Sequence, residues 1–138
     1  MTDTGEREAG SIAAFMALLA VALLALVGLV VDGGRSVAAR QEALDDAQQA
    51  ARAGAGQLSI VALRAGQVLL DPGAAASAAR KYLASAGVDG TVAVIGQEVT
   101  VQVDLQEPTT FLGLVGLRTI NISADASATN VHGVTRED

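Results

Sequence analysis

The strongest pattern in the chain is an unbroken apolar run near its N-terminus. Residues 11–31 contain no charged side chain and lie between Glu8 and Asp32. A helix rises about 1.5 Å per residue, so this run would span roughly 31 Å, close to the ~30 Å hydrocarbon core of a bilayer. A secretory signal peptide would have a shorter apolar core and a cleavage motif of small residues at its far end. The pattern therefore predicts a transmembrane helix over residues 11–31.

The sequence after Asp32 predicts that this helix continues beyond the bilayer as a stalk over residues 32–58. The segment is rich in helix-forming residues and has no proline, while Gly33 and Gly34 mark a point of flexibility. Two surfaces of the stalk are candidates for contact. One is a heptad-spaced, mostly apolar stripe of Val37, Leu44, Ala51 and Leu58. The other is a flank of small residues that would let a partner helix or a sheet approach closely: Ala43, Ala47, Ala50 and Gly54.

Residues 59–130 have the pattern of a small headpiece with one helix. Asp71 followed by Pro72 is typical of a helix start, because the carboxylate caps free N–H groups and proline lacks the N–H that would stay unpaired there. Gly87 suits the C-terminal cap of this helix. Its expected inner face consists of Ala75, Ala79, Tyr82, Leu83 and Ala86.

Three segments with alternating apolar and polar residues predict an antiparallel sheet. Residues 91–95 and 98–105 are separated by Gly96 and Gln97, a pair typical of a type II′ hairpin. The apolar face of the second and third segments comprises Val99, Val101, Val103, Leu105, Ile120, Ile122, Ala124, Ala126 and Ala128. The predicted fold class is therefore α+β: a long N-terminal helix, transmembrane and then stalk, with a headpiece of one helix and a three-stranded antiparallel sheet.

The segment between the second and third predicted strands is apolar from Phe111 to Leu117. It has two interpretations. The favoured one is a short helix that closes the core of the headpiece. The other is an apolar loop that rests on the membrane or on a neighbouring subunit.

Composition excludes several classes of function. An aromatic content of 2% and a net charge of −6 argue against a nucleic-acid-binding module, which needs a basic face or stacked rings. The chain has no cysteine, and its one histidine, His132, falls in a predicted flexible tail at residues 131–138. The acidic cluster of Glu42, Asp45 and Asp46 favours a solvated helix face over a metal site. We therefore predict no catalytic, cofactor-binding or metal-binding residues, no small-molecule substrate and no enzymatic activity.

Residues 1–10 form a polar segment that ends in Gly10, directly before the apolar run. This layout is similar to that of a type IV prepilin, whose leader is removed on the cytoplasmic side by a prepilin peptidase. The similarity implies cleavage between Gly10 and Ser11. Phe15 stands where most prepilins carry a glutamate, and this difference favours the other interpretation, an unprocessed cytoplasmic tail.

The predicted transmembrane helix and three further segments together resemble the TadE/TadG-like pilus-assembly proteins of actinobacterial type. The three further segments are Val31–Arg35 (VDGGR), Ala39–Ala55 and Pro108–Leu117 (PTTFLGLVGL). The resemblance extends from about Gly10 to Ala128. It implies a minor pilin or pseudopilin-like assembly component of the tight-adherence (Flp) pilus, with membrane lipid and other pilus or secretion-system subunits as partners. The alternative is a permanently anchored envelope scaffold or binding protein that never enters a filament.

The resemblance also bears on topology and on helix contacts. Charges flanking the span, Arg7 against Arg35 and Arg40, are nearly balanced and slightly favour the reverse orientation. Short N-terminal tails before long domains commonly act as signal anchors, so we expect a single-pass protein of the cytoplasmic membrane with a cytoplasmic N-terminus and an extracytoplasmic C-terminal domain. A stripe of small residues in the span is a candidate surface for helix packing, with ordinary lipid contact as the equal alternative. It comprises Ala13, Ala17, Ala20 and Gly28.

Overall fold

The structure is a computed structural model that describes residues 4–130, with the backbone alone at residues 4–10, 114 and 115. The predicted tail and His132 lie outside the described residues. The elements are α1 (Thr4–Ala55), α2 (Ile60–Arg64), α3 (Pro72–Ala86), β1 (Asp89–Ile95), β2 (Glu98–Pro108) and β3 (Thr119–Thr129). A short 3₁₀ helix, Leu112–Val115, lies between β2 and β3.

The chain forms two compact units. The N-terminal unit contains the chain up to Ser36 together with Pro108–Ile120. The α+β unit contains Val37–Glu107 and the chain from Asn121 onward. Each unit thus contains a part of α1.

In the N-terminal unit, α1 carries one segment that is long and apolar enough to cross a membrane. Its large apolar side chains from Ile12 to Val31 are all at least 41% exposed. Exposure of so many large apolar groups is unfavourable in water, because each would gain free energy by burial. The helix remains regular through Gly33 and Gly34.

In the α+β unit, the flank of small residues on α1 is buried along its length, and the heptad stripe is buried only in part. Ala43, Ala47 and Ala50 of the flank are fully buried. Of the heptad stripe, Ala51 is fully buried, Leu44 and Leu58 are half-buried, and Val37 is 64% exposed. A Cβ atom added at Gly54 would lie 2.9 Å from Val99 and 3.0 Å from the Ala75 carbonyl oxygen. Small residues are therefore needed here, because α3 and the sheet pack directly against the helix backbone.

The caps of α3 agree with the sequence prediction. The Ala74 N–H donates to the Asp71 carboxylate at 2.9 Å, Pro72 occupies the first helical turn, and Gly87 ends the helix with a φ of 73°. The buried face consists of Ala75, Ala79 and Leu83, with Tyr82 half-buried and Ala86 exposed. The five-residue helix α2 was not predicted. Its N-cap is Ser59, whose hydroxyl accepts from the Ala62 N–H at 3.4 Å.

The sheet is three-stranded and antiparallel in the order β1-β2-β3. Ile95 pairs with Glu98 and Val94 with Val99, so the β1–β2 turn has two residues. Gly96 has a φ of 62°. Among the described residues only glycines have a positive φ, so the φ of Gln97 is negative. A type II′ turn requires this combination, with a positive φ at the first central residue alone. Val99, Val101 and Val103 are fully buried, and burial of each valine contributes about 1.5–3 kcal/mol. The α+β fold class is confirmed.

Candidate functional site

The N-terminal unit contains a buried carboxylate at the end of the apolar run. Asp32 is only 2% exposed. The Thr110 N–H donates to Asp32 Oδ1 at 3.1 Å, and the N–H groups of Phe111 and Leu112 donate to Oδ2 at 2.9 and 2.8 Å. Successive backbone N–H groups that converge in this way form a binding site for an anion. We call this arrangement, the Asp32 carboxylate and the Thr110–Leu112 backbone, the Asp32 clasp.

The local structure of the loop explains why these donors are available. They precede or begin the 3₁₀ helix Leu112–Val115, and the first N–H groups of a helix have no partner within it. Phe111, at the N-cap position, makes no side-chain capping hydrogen bond. Asp32 supplies the missing cap from a position 78 to 80 residues earlier in the chain. A carboxylate that accepts from N–H groups makes stronger hydrogen bonds than a neutral cap.

Two further contacts support the clasp. Arg35 Nη1 donates to the Thr110 hydroxyl at 2.8 Å, and the Ser36 hydroxyl donates to the Asp32 carbonyl oxygen at 3.1 Å. By contrast, a Cβ atom added at Gly33 or Gly34 would meet nothing within 4 Å. Within the VDGGR motif, Asp32 and Arg35 thus make the contacts with the loop, and the two glycines do not.

An apolar contact lies one helical turn before the clasp. A Cβ atom added at Gly28 would lie 2.6 Å from both Cβ and Cγ of Phe111. Gly28 and Asp32 are four residues apart and therefore share one face of α1. The Phe111 ring can lie on that face only because residue 28 has no side chain.

The environment of Asp32 determines its charge. The hydrogen bond from the Leu112 N–H is the largest influence and lowers the pKa of the carboxyl below its usual 3.8, although burial opposes this. The N–H groups of Thr110 and Phe111 and the charge of Arg35 lower the pKa further. Asp32 is therefore an ionised acceptor at neutral pH. Its oxygens are occupied by backbone donors, so the arrangement holds a loop and is not built for proton transfer.

The residues predicted as sites are not brought together. Gly10 and Ser11 both lie within α1, which is helical across the expected cleavage position. Ala13, Ala17 and Ala20 are exposed, whereas Gly28 is buried beneath Phe111. Any contact of Ala13, Ala17 or Ala20 with a neighbouring helix therefore stays a prediction, and at Gly28 the observed partner is this chain's own loop.

The prediction that the loop closes the headpiece core is wrong. The loop does contain a short helix, but its described side chains, Phe111, Leu112 and Leu117, are absent from the core of the α+β unit. The loop instead belongs to the N-terminal unit, because Asp32 accepts hydrogen bonds from its N–H groups and Phe111 packs against Gly28. VDGGR and PTTFLGLVGL were recognisable in the sequence only as separate segments. Two signals could have paired them: an acidic residue at the end of an apolar run, and a helix start without its own cap.

The acidic cluster on α1 makes one contact in the α+β unit. The Tyr82 hydroxyl donates to Asp46 Oδ1 at 3.4 Å, a long hydrogen bond. Burial is the main influence that raises the pKa of Tyr82 above its usual 10.0, and the charges of Asp46 and Asp45 add to it. Among the side chains that the structure describes, no three of His, Cys, Asp or Glu come together in a group that could hold a metal ion.

Comparison with known families gives a match that covers α1 from Gly10 to its end. Residues 10–57 match the family model of Flp pilus-assembly TadE/G-like proteins, so the resemblance is confirmed over this segment. The match begins at Gly10, includes the apolar run and Asp32, and ends just after α1. No curated protein and no solved structure matches the chain.

Proposed function

We propose that this protein is a membrane-anchored assembly component of a Flp-type pilus, of the minor-pilin or pseudopilin class, and that it has no enzymatic activity. The match of residues 10–57 to pilus-assembly proteins carries the proposal. The exposed apolar side chains of residues 11–31 support membrane anchoring, because lipid is the environment in which such a helix is stable. Asp32 carries the most buried charge of the described residues. Backbone N–H groups occupy its carboxylate oxygens, and this supports a structural role for Asp32.

The proposed topology has one span. Residues 11–31 cross the cytoplasmic membrane, the N-terminus is cytoplasmic and the α+β unit is extracytoplasmic. Membrane lipid and other pilus or secretion-system subunits are the proposed partners. The exposed residues Ala13, Ala17 and Ala20 are the proposed packing surface for a neighbouring helix, since small residues let two helix backbones approach closely.

Leader processing separates a pilin from a permanent anchor. Cleavage between Gly10 and Ser11 requires the peptidase to bind an extended backbone, so the start of α1 must unwind locally. Glycine at position 10 makes this unwinding easier, because glycine within a helix is roughly 0.5–1 kcal/mol less favourable than alanine. In cells with an active prepilin peptidase, we expect the intact mass of the membrane-extracted protein to correspond to a chain that starts at Ser11.

Matched variants test the cleavage site. Gly10→Val should block maturation and leave the protein in the membrane pellet after an alkaline carbonate wash. Gly33→Val should mature normally, because position 33 is far along the chain from the cleavage site and a Cβ atom added there meets nothing within 4 Å. A full-length wild-type chain in the presence of active peptidase would support the permanently anchored scaffold. Release of the protein by carbonate would contradict anchoring itself.

The scaffold alternative rests on Phe15. In pilins a glutamate near the new N-terminus can pair with a neighbour's amine, and phenylalanine cannot provide that charge. If processing occurs, we therefore expect the mature protein to join filaments rarely or only at an end. Purified pili should then contain it at a small fraction of the major subunit, as measured by quantitative mass spectrometry.

A further inference from the structure

We propose that the loop from Phe111 to Leu117 inserts into the lipid interface of the membrane that α1 crosses, on the Asp32 side. This inference rests on the proposed anchoring of residues 11–31 and adds a second membrane contact to it. The lipid-facing side chains are Phe111 and Leu117.

The position of the loop along α1 sets its depth. Asp32 is the first charged residue after the apolar run, so it lies at the boundary between hydrocarbon and headgroups. Phe111 contacts Gly28, four residues earlier, which is about 6 Å nearer the bilayer centre at 1.5 Å per residue. Interfacial segments bury their apolar side chains roughly 5–10 Å into this boundary region. The contact with Gly28 therefore holds the loop at interfacial depth.

Two apolar side chains of the loop are exposed. Phe111 is 41% exposed and Leu117 is 59% exposed. Neither belongs to the core of the α+β unit. These two side chains are exposed beside a membrane helix at the depth of the lipid interface. The nearest apolar groups at that depth are the acyl chains of the lipid.

Several backbone N–H groups of the loop have hydrogen-bond partners within the protein, as a segment in lipid requires. The Thr109 N–H donates to the Arg118 carbonyl at 3.0 Å, the Gly116 N–H to Gly113 at 3.2 Å and the Leu117 N–H to Leu112 at 3.1 Å. The Thr109 hydroxyl donates to the Leu117 carbonyl.

The Asp32 clasp pairs three further N–H groups at the start of the loop, those of residues 110–112. An unpaired N–H group costs several kcal/mol in hydrocarbon and little in water. This pairing explains why a carboxylate is buried at the edge of the span: it satisfies the loop and is itself shielded from lipid.

The charges beside the loop fit the same boundary. Arg35 donates to Thr110, and the exposed Arg118 follows Leu117 directly. Arginine at headgroup depth pairs with lipid phosphates, and its long aliphatic chain can stay in the apolar region. The loop thus has apolar side chains on its lipid side and an arginine on either flank.

Single cysteines can test the depth, because the chain contains none of its own. The full chain would be reconstituted in vesicles of phosphatidylethanolamine and phosphatidylglycerol, with a small environment-sensitive fluorophore on one cysteine. Leu117→Cys reports the loop. Val21→Cys, 64% exposed at the middle of the apolar run, reports the anchor, and Ile95→Cys, an apolar residue 76% exposed on the α+β unit, is the matched control.

Quenching by spin-labelled lipids distinguishes the outcomes. We expect the Leu117 label to be quenched most by a spin label near the headgroup, the Val21 label most by one near the chain end, and the Ile95 label by neither. Quenching at Val21 without quenching at Leu117 would overturn the loop inference and leave the anchor standing. A blue-shifted but unquenched Leu117 label would also overturn it, since a protein surface would then cover the loop. Absence of quenching at Val21 would refute the anchor and with it the loop contact.

A second pair of variants tests the cause. Gly28→Ala would force the Phe111 ring off the helix, because the new Cβ would lie 2.6 Å from it. Leu117 quenching should then fall towards the level of Ile95, while Val21 quenching is unchanged. Gly33→Ala, with nothing within 4 Å of its new Cβ, should leave both unchanged. Unchanged Leu117 quenching in Gly28→Ala would show that the Gly28 contact does not hold the loop in the membrane and would overturn the depth argument.

Discussion

Helix α1 contributes to both compact units, and the two units bind their part of it through different interactions. In the α+β unit, α1 presents a row of buried alanines, and α3 and the sheet pack against it. In the N-terminal unit, one carboxylate and one glycine hold a loop, while the large apolar side chains of residues 12–31 remain exposed. The first arrangement depends on burial of apolar area in a protein core. The second depends on a few directional hydrogen bonds.

This difference indicates how each unit should respond to damage. Apolar cores are close-packed, so a change in side-chain volume or polarity affects the whole unit. The loss of a cap releases mainly the segment that it holds. Core substitutions should therefore unfold the α+β unit, and substitutions in the clasp should free the loop without unfolding that unit.

The largest expected effect is that of Val101→Asp. Val101 is fully buried in the centre of β2, and an unpaired carboxylate there should destabilise the α+β unit by about 3 kcal/mol or more. Chemical denaturation of the full chain in detergent, followed by circular dichroism, would measure the loss. Thr100→Asp, one residue along on the wetter face, should have a much smaller effect. Equal destabilisation by both variants would contradict the observed register.

Gly54→Ala should have a smaller effect on the same core. The added Cβ would lie 2.9 Å from Val99 and 3.0 Å from the Ala75 carbonyl, and overpacking of this kind costs about 1–3 kcal/mol. Gly56→Ala is the control, because its nearest contact would be an ordinary 3.6 Å. The two denaturation midpoints should differ clearly. If they agree, the close approach of α1 to the sheet is not a requirement for stability.

Asp32→Asn should act locally. An amide has one acceptor oxygen, and its NH₂ group would face N–H donors that need acceptors, so the clasp should open. We expect several-fold faster tryptic cleavage after Arg118, measured by mass spectrometry, with little change in the unfolding of the α+β unit. Asp45→Asn, an exposed acid on the same helix, should leave both readouts unchanged. Unfolding of the α+β unit in Asp32→Asn would remove the distinction between the two units.

The smallest effect concerns Tyr82 at high pH. Its pKa is raised above 10.0 in the folded protein, mainly by burial, so the unfolded chain loses this proton first. The contribution of Tyr82 is therefore fully present below pH 10 and declines as the pH rises through the folded-state pKa. Tyr82 is the single tyrosine, so phenolate absorbance measures its titration directly. Tyr82→Phe should flatten the decline in stability, and an ordinary titration in the wild type would contradict the raised pKa.

Parts of the fold that arise from local chemistry could be predicted. The Asp71-Pro72 start of α3, its Gly87 end and the Gly96-Gln97 turn depend on neighbouring residues, and the structure has each where the sequence indicated. The apolar face of β2 was predictable for a related reason. Strand geometry places alternate residues on one side, so Val99, Val101 and Val103 share a face without reference to the rest of the chain.

The candidate site could be predicted only in pieces. Val31–Arg35 and Pro108–Leu117 were both recognisable, and each contained one half of a signal: an acidic residue at the end of an apolar run, and a helix start without its own cap. Neither segment by itself indicated that the other contained its partner. Capping leaves no periodic pattern in a sequence when the acceptor lies 78 to 80 residues from its donors. The expected core closure by the loop was wrong for the same reason, since apolar content alone does not say which surface a loop contacts.

The sequence by itself determined the apolar run, the strands with their faces, and the turns and caps, because each depends on side chains within a few residues of one another. Tertiary structure decided which flank of α1 is buried, which residue covers Gly28 and where the Phe111 loop is held. Those outcomes depend on segments far apart in the chain competing for the same surface. The flank of small residues prevails on α1 because it permits the closest approach of α3 and the sheet. The loop lies on Asp32 because the carboxylate accepts hydrogen bonds from the N–H groups of the loop. The buried carboxylate in turn needs those donors, because they replace the water that it loses on burial.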